Sequence, residues 1–231
     1  MTRSCRCENL VTGKIQGDAL AYHHGNLKEA LLECAADVIA ERGIEALTLR
    51  GLARDLGVSH AAPGAHFADR RALLCELAKV GFQRSLEFMR AGAEAAGPDP
   101  VARYRALGRS YVQFAQDNPS YFRAINHPEV EAHLDDDLRG ARAAWVATLR
   151  EGVEVAQASG WHPEIEVETL LAFSCAAAMG TAQLLTDSVW TDVFDVDDVD
   201  ALADSVLDVV VHRSRTSVVP ILEETEEKRS A

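Results

Sequence analysis

The segment from residue 48 to residue 74 constrains the fold of this chain more than any other. Its first apolar residues recur with the i, i+3, i+4, i+7 spacing of one helix face: Leu49, Leu52, Ala53 and Leu56. The hydroxyl of Thr48 can cap the start of that helix. Gly57 follows the last apolar position, where helices commonly end in a left-handed residue. The segment therefore opens with a short helix that ends in a tight turn.

A second helix is predicted from Ser59, which can cap it, to Phe67, with Pro63 on the same buried face as Phe67. Asp69 can cap a third helix that begins directly after it. Two short helices joined by a tight turn containing glycine form a helix-turn-helix. Such a unit cannot bury its apolar faces alone. The helix predicted over Leu27–Arg42 supplies the cover.

The rest of the chain is also predicted to be helical, which makes the fold class all-α. Alanine is abundant, aromatic residues are few, and strand-like alternation is rare. The third helix is predicted to run to about Ala96, before the helix breaker Gly97-Pro98-Asp99-Pro100. Further helices are predicted over Val101–Asn118, from Pro119, and over Asp137–Ser159, Glu164–Trp190 and Asp197–His212.

The net charge of −13 argues at first against a DNA-binding protein, because DNA repels an acidic surface. Its distribution removes most of the conflict. Residues 22–75 carry a charge of −1, residues 76–231 carry −13, and residues 1–21 carry +1. The acidic remainder is expected to keep the protein soluble and away from non-specific DNA.

From Tyr22 to about Phe82 the sequence resembles the DNA-binding domain of TetR-family transcriptional regulators. The residues that carry the resemblance are Leu31, Ala35, Ala36, Ile39, Glu41-Arg42-Gly43, Thr48-Leu49-Arg50, Leu52-Ala53, Leu56-Gly57-Val58-Ser59, His66-Phe67 and Leu73-Leu74. The rest resembles the family only in helical pattern and length. The resemblance implies an N-terminal three-helix DNA-binding domain and a C-terminal helical domain for ligand binding and dimerisation.

The chain departs from one subgroup of the family at two places. The subgroup commonly has Ser-His-x-Ala-Pro-Tyr-Arg-His-Phe in the second helix, where Gly64 and Ala65 replace the tyrosine and the arginine that reach phosphate. This replacement predicts a looser helix and weaker DNA binding, or else a glycine that lets the backbone approach DNA closely. The subgroup's Trp-x-x-x-His-Gly motif is reduced to Gly180. The ligand therefore cannot be carried over.

Four regions are predicted. Residues 1–21 form a flexible tail, residues 22–82 the helix-turn-helix domain, residues 83–213 the ligand-binding and dimerisation domain, and residues 214–231 a charged tail. Residues 22–26 lead into the first helix, which Asn26 can cap. The last two long helices are expected to form a homodimer.

The expected partner is double-stranded operator DNA, read in the major groove by the helix from Ser59 to Phe67. Thr48 and Ser59 are expected to bond phosphates, and arginines 50, 70 and 71 to neutralise them. The first residues of the helix lie nearest the bases. The full predicted set is Thr48, Arg50, Ser59, His60, Ala61, Ala62, Gly64, His66, Arg70 and Arg71.

A small-molecule ligand is expected among the C-terminal helices. The candidate pocket residues are large and apolar or aromatic: Tyr104, Leu107, Tyr111, Phe114, Phe122, Trp145, Phe173 and Met179. At helical spacing such residues are as often plain core, and that alternative stays open. Ligand entry would tilt the connecting helix and change the spacing of the two recognition helices.

The sequence disfavours enzymes, because it contains no Gly-rich phosphate loop, nucleophile elbow or paired-ligand metal motif. No cofactor or metal is expected. Cys5 and Cys7 with nearby histidines fit no common zinc pattern, and the acidic run after Asp192 lacks the glycine and glutamate of a calcium loop. A small-molecule sensor or buffer that has lost specific DNA binding remains the alternative to a repressor.

No membrane association is expected. No apolar run reaches the ~18 residues that a span needs, and residues 1–20 lack the apolar segment of a secretory signal. The predicted location is the cytoplasm.

Overall fold

The computed structural model of this chain describes residues 27–186 and 198–211. The described residues form α-helices and short 3₁₀ turns without a strand, which confirms the all-α class. The helices are α1 Leu27–Arg42, α2 Leu49–Asp55, α3 Arg70–Ala95, α4 Pro100–Asp117, α5 Pro119–Ile125, α6 Pro128–Glu131, α7 Asp136–Ala158, α8 Val167–Thr186 and α9 Val199–Val211. Two 3₁₀ turns lie at Ile44–Ala46 and Ala62–Ala65.

Most predicted helix ends are confirmed to within about a turn, because local caps and breakers set them. Asp69 caps α3 by accepting a hydrogen bond from the Ala72 backbone N–H (2.8 Å), and Asp99 caps α4 in the same way. Asp198 accepts from the backbone at the start of α9. The cap predicted at Asn26 and both tails lie outside the described residues, as do the predicted ends of α8 and α9 at Trp190, Asp197 and His212.

The second helix of the helix-turn-helix is a correction to the sequence prediction. The sequence predicts a helix from Ser59 to Phe67, but the structure has only a 3₁₀ turn at Ala62–Ala65 with loose turns on either side. The backbone N–H groups of Ala62, Gly64 and His66 bond to the carbonyl oxygen three residues earlier. Pro63 offers no N–H for an α-helical bond, and Gly64 is a weak helix former. The local sequence therefore favours the tighter turn.

The helix α3 is the central element of the fold. It packs against α1 in the N-terminal part, and against α4, α5, α6 and α7. At Gly81 a side chain would lie 3.0 Å from Ile125, so the glycine allows the close approach of α5. Buried residues run along the helix from Leu73 to Ala93 within one continuous core. The predicted boundary near residue 82 falls inside this helix and stays a prediction.

Ion pairs and hydrogen bonds also join the N-terminal part, residues 27–67 (the head), to helices α3–α9 (the body). Glu76 of α3 lies 2.7 Å from the ammonium group of Lys28 and 2.8 Å from that of Lys79. The Ser120 hydroxyl of α5 donates to the carbonyl oxygen of Ala36 in α1 (2.6 Å). The head is therefore joined to the body by a hydrogen bond to α5 as well as by an ion pair to α3.

Candidate DNA-binding face and ligand cavity

The start of α2 is held by Thr48. Its hydroxyl oxygen accepts a hydrogen bond from the Gly51 backbone N–H (3.0 Å), and its own O–H stays available to donate to a phosphate. Arg50 follows on the first turn, and its side chain is exposed. Both side chains are therefore accessible to a DNA backbone, and their contacts with phosphates stay a prediction.

The turn after α2 sets where the recognition segment, residues 59–67, begins. Gly57 adopts a φ of 67°, and the Val58 N–H donates to the carbonyl oxygen of Ala53 (2.9 Å), which closes the helix end. Beyond it Pro63 and Phe67 are buried and anchor the segment in the core, as the sequence predicted. The predicted DNA-contacting residues around Pro63 mostly point outward: Ser59, His60, Ala61, Gly64 and His66 are exposed, and Ala62 is half-buried.

A cleft of about 580 Å³ runs beside this segment, between α1, α2 and His60. Arginines 42, 50 and 54 all line it, together with Thr48 and one acidic residue, Asp55. Sequence reasoning assigned a DNA contact to Arg50 but not to Arg42 or Arg54. Arg54 lies four residues after Arg50, which places both on one helix face. This spacing could have predicted Arg54 as a second basic residue of the cleft.

The charge of the cleft stays positive. Asp55 accepts hydrogen bonds from Arg42 (2.7 Å) and Arg54 (3.0 Å). Partial burial raises the pKa of Asp55, but the two arginines outweigh burial and hold the pKa below its ordinary value. One carboxylate among three guanidinium groups leaves net positive charge, which suits a phosphate backbone.

Arg70 is bonded within the protein. Its guanidinium donates to the carbonyl oxygens of Leu47 (3.1 Å) and Ile44 (3.0 Å) and to the Glu129 carboxylate of α6 (2.5 Å). Its side chain is 24% exposed. These bonds tie the linker before α2 to the body, so Arg70 holds the head in place. Its contact with a phosphate stays a prediction. Arg71, by contrast, is exposed and pairs only loosely with Asp69 (3.3 Å).

A narrow cavity lies in the body between α3, α4, α7, α8 and α9. Four of the eight residues predicted for a pocket line it: Tyr104, Tyr111, Trp145 and Met179. The other four do not reach its wall. Phe114 and Phe122 lie in the packed core, as does Leu107, and Phe173 is 41% exposed on α8.

Further lining residues were not predicted from sequence. Met89 comes from α3 and Leu149 from α7, while Ser174, Cys175 and Ala178 come from α8, and Leu207, Val210 and Val211 from α9. The wall is apolar apart from a few groups, among them Arg105. The free volume is about 30 Å³, which is room for one or two water molecules.

Two tyrosines of the cavity wall have perturbed acidities. Burial raises the pKa of Tyr104 to about 12, and likewise that of Tyr111 to about 12. Both hydroxyls are therefore protonated at neutral pH and can donate hydrogen bonds. Burial also raises the pKa of the Cys175 thiol, which makes it a poor nucleophile.

Comparison with known proteins decides the family. A family model described as "Bacterial regulatory proteins, tetR family" matches residues 31–77, and another described as "Tetracyclin repressor-like, C-terminal domain" matches residues 104–210. This chain belongs to the TetR family. Both halves of the family's architecture are thus present, in the order that the sequence predicted.

Three individual proteins that are similar to this TetR-family chain each match most of its length. The HTH-type transcriptional repressor KstR2 of Mycobacterium tuberculosis is 23% identical over 184 residues, which is 76% of this chain and 84% of that protein. A protein of unknown function from Rhodococcus sp. RHA1 is 31% identical, with a TM-score of 0.71 over 83% of this chain and 97% of that one. The TetR-family regulator PfmR of Thermus thermophilus shares the fold (TM-score 0.61, 20% identity, 79% and 97% covered). The TetR-family chain is a DNA-binding transcriptional regulator and not an enzyme.

The outer face of α8 and α9 in this regulator is unusually apolar. Phe173 and Met179 on α8 are 41% and 38% exposed, and Val209 on α9 is 64% exposed. Ala176 and Gly180 on α8 are also exposed. These α8 positions recur every three or four residues, so they form one stripe along the helix.

Of the helices in residues 27–186 and 198–211, α8 alone is long and apolar enough to cross a membrane, with a mean hydropathy of 1.4. A single helix of this kind is weak evidence for a span, because core helices have the same composition. In the same residues no group of three or more His, Cys, Asp or Glu side chains is placed to hold a metal ion. Cys5, Cys7 and the first acidic residues after 191 lie outside the described part.

Proposed function

We propose that this TetR-family regulator is a homodimeric repressor that leaves its operator when a small apolar molecule enters the cavity. The course of α3 carries the proposal. The helix begins at Arg70, directly after the recognition segment, and its Met89 lines the cavity. The two residues are roughly 28 Å apart along one continuous helix. A displacement at Met89 would therefore change the tilt of the DNA-binding face.

The size of the cavity supports a switch. Its free volume of about 30 Å³ is too small for a drug-sized molecule, so such a ligand must part the walls. A ligand shifts an equilibrium only as far as it binds one conformation better than the other. A molecule that fits only the widened cavity meets that condition, and α3 forms part of the wall that moves.

The apolar stripe on α8 and the neighbouring Val209 support dimerisation through these helices. A contiguous exposed apolar surface marks an interaction site on a soluble protein. Small residues such as Ala176 and Gly180 let two helices approach closely, and twofold symmetric dimers are the commonest assembly. A dimer places two recognition segments on DNA half-sites roughly 34–36 Å apart. The repressor then acts on cytoplasmic DNA, and repression agrees with the name of its relative KstR2.

A selection from fragmented genomic DNA tests the first half of the proposal. We expect the full chain to enrich fragments that contain an inverted repeat. Sedimentation at micromolar concentration should show a dimer, and Phe173→Glu, placed on the stripe but outside the cavity wall, should yield monomers that bind the repeat more weakly. Phe88→Glu is a matched control, because Phe88 is similarly exposed (39%) but lies on α3.

The second half is tested on the selected repeat. A panel of apolar compounds should contain members that lower the affinity for the repeat, and the effect should be lost when Ala178→Phe fills the cavity. Release that is equal in the native protein and in Ala178→Phe would contradict a ligand site in this cavity.

One observation favours a second function, a small-molecule sensor that does not read DNA specifically. Gly64 and Ala65 are exposed at the positions where the subgroup has a phosphate-binding tyrosine and arginine. On that account the selection enriches no common sequence, while the apolar compounds still bind. Recovery of an inverted repeat would exclude it.

A further inference from the structure

Two residues of the cavity wall carry buried polar atoms without a hydrogen-bond partner in the described part of the chain. They are the hydroxyl of Tyr104 and the indole Nε1 of Trp145. Tyr104 is 5% exposed and Trp145 is 8% exposed. Native proteins rarely leave such groups unpaired, because burial removes the water that would otherwise satisfy them. Trp161, which lies nearby but does not line the cavity, shows the usual arrangement: its Nε1 donates to the Val211 carbonyl oxygen (2.8 Å).

The surroundings place the Tyr104 hydroxyl on the cavity side. Ser174 and Cys175, which also line the cavity, are the groups that influence its pKa, with the Ser174 hydroxyl working against the rise caused by burial. The Ser174 hydroxyl donates its hydrogen bond to the Leu170 carbonyl oxygen (2.7 Å) instead. The distances give the Tyr104 hydroxyl no hydrogen bond to Ser174 or to any other group in the described part of the chain, so its O–H is available to a molecule in the cavity.

The charges around the cavity disfavour an anionic ligand. Arg105 lines the wall, but its guanidinium is held by the carboxylates of Asp208 (2.5 Å) and Asp204 (2.9 Å) on α9. Asp204 also pairs with Arg109 (3.4 Å), which in turn pairs with Asp200 (2.6 Å). Three carboxylates against two guanidinium groups leave no positive charge for an incoming acid to pair with. A neutral molecule avoids the cost of burying an unpaired charge.

We infer that the cavity takes a neutral apolar molecule with a hydrogen-bond-acceptor oxygen, such as a ketone or ester carbonyl, which the Tyr104 hydroxyl and the Trp145 indole N–H recognise. Both groups donate, and the indole N–H can do nothing else. The inference deepens the proposed function, since it rests on the cavity being the ligand site. A buried water bonded to the two donors is the competing occupant.

Matched ligand pairs test the inference directly. Benzophenone and diphenylmethane differ only in a carbonyl in place of a methylene, and acetophenone and ethylbenzene form a smaller pair. Equilibrium dialysis against the full chain, without DNA, measures how much of each compound is bound. We expect each ketone to bind about tenfold more tightly than its hydrocarbon, the value of one or two net hydrogen bonds. The anion 4-benzoylbenzoate should bind more weakly than benzophenone.

Variants assign the preference to the two donors. Tyr104→Phe and Trp145→Phe should each reduce the ketone preference about threefold, with little change in the binding of the hydrocarbon by Tyr104→Phe. Tyr121→Phe is the matched control, because Tyr121 is equally buried (6% exposed) but lies outside the cavity. It should keep the full preference.

Equal binding of ketone and hydrocarbon in both pairs, or no binding of either ketone, would overturn the inference and leave water as the partner of the two donors. The outcome is separable from the proposed function. Ketones that bind with the expected preference but do not release the operator refute ligand-triggered release and keep the ligand assignment. Release by the hydrocarbons as readily as by the ketones refutes the assignment and keeps the switch.

Discussion

Replacing Arg70 should change the stability of this protein and leave the electrostatics of its DNA binding unchanged. The substitution Arg70→Met keeps a long side chain and removes three hydrogen bonds, those to the carbonyl oxygens of Ile44 and Leu47 and that to Glu129. The Glu129 side chain is 44% exposed, so that pair contributes at most about 1 kcal/mol. The two bonds from a charged donor to carbonyl oxygens, on a side chain that is 24% exposed, contribute about 1–3 kcal/mol together. The expected loss is therefore about 1–4 kcal/mol.

Arg71 provides the control next to it in the sequence. Its side chain is 46% exposed, and within the described part of the chain it forms an ion pair only with Asp69, at 3.3 Å and two residues away. A surface pair of this kind contributes at most about 0.5 kcal/mol. Arg71→Met should therefore leave the free energy of unfolding nearly unchanged. Because the side chain is exposed beside the recognition segment, its removal should instead reduce DNA affinity.

Two measurements separate the roles. Urea unfolding followed by circular dichroism gives the change in stability, and operator titrations over a range of salt give the slope of log affinity against log salt. We expect Arg70→Met to lower stability and keep the slope. Arg71→Met should keep stability and lower the slope by about 1 for each phosphate that it no longer neutralises. If Arg70→Met reduces the slope and leaves unfolding unchanged, the assignment of Arg70 to the bond between head and body is wrong.

Three further predictions follow from the backbone and charge details. Gly57→Ala should lower the free energy of unfolding in urea by about 1 kcal/mol, because the φ of 67° at this position strains any L side chain. Gly140→Ala, on an open face within α7, should instead raise it by about 0.5–1 kcal/mol. Equal effects of the two substitutions would contradict the left-handed turn at Gly57. Burial raises the pKa of Glu76, but two lysines outweigh it and hold the pKa below 4.5. Glu76→Gln should therefore lower the free energy of unfolding by its full amount above about pH 5 and by less as the pH falls below 4.5. A difference between native protein and variant that grows in acid would contradict the lowered pKa of Glu76. Gly64→Tyr with Ala65→Arg should tighten operator binding and steepen its salt dependence, since a side chain at Gly64 meets nothing within 4 Å; weaker binding would mean that the glycine makes room for DNA.

The sequence was sufficient for most helix boundaries in the described residues and insufficient for the recognition segment. Caps such as Thr48 and Asp69 act within three residues, so local pattern reveals them. Pro63 and Gly64 are local too, and they favoured a 3₁₀ turn over the α-helix that the helix-turn-helix pattern suggested. The predicted helix followed the family resemblance, whereas the observed turn agrees with the local propensities of Pro63 and Gly64.

Arg70 and the cavity depend on contacts that no local pattern contains. The partners of Arg70 lie 23, 26 and 59 residues away in the chain. In the same way, periodicity identifies the buried face of α4 but not which part of it meets a void. Tyr104 lines the cavity, whereas Phe114 on the same helix packs against Phe88 with ring centroids 6.4 Å apart. The spacing of apolar residues predicts which side chains are buried. The position of a cavity between helices depends on how all of the surrounding helices pack, which spacing within one helix does not show.

The contacts of α5 and α6 restrict how a ligand could move the DNA-binding head. Asn118 is both the last cap of α4 and the first cap of α5, so a single residue joins the two helices. A movement of α4, which forms part of the cavity wall, is therefore passed directly to α5. Ser120 of α5 is bonded to α1, and Glu129 of α6 is bonded to Arg70 at the start of α3. A shift of α4 would therefore reach the head at α1 and at the start of α3 together. The head would then turn as a unit on its bonded contacts, because the tilt of α3 and the shift of α4 act on it together.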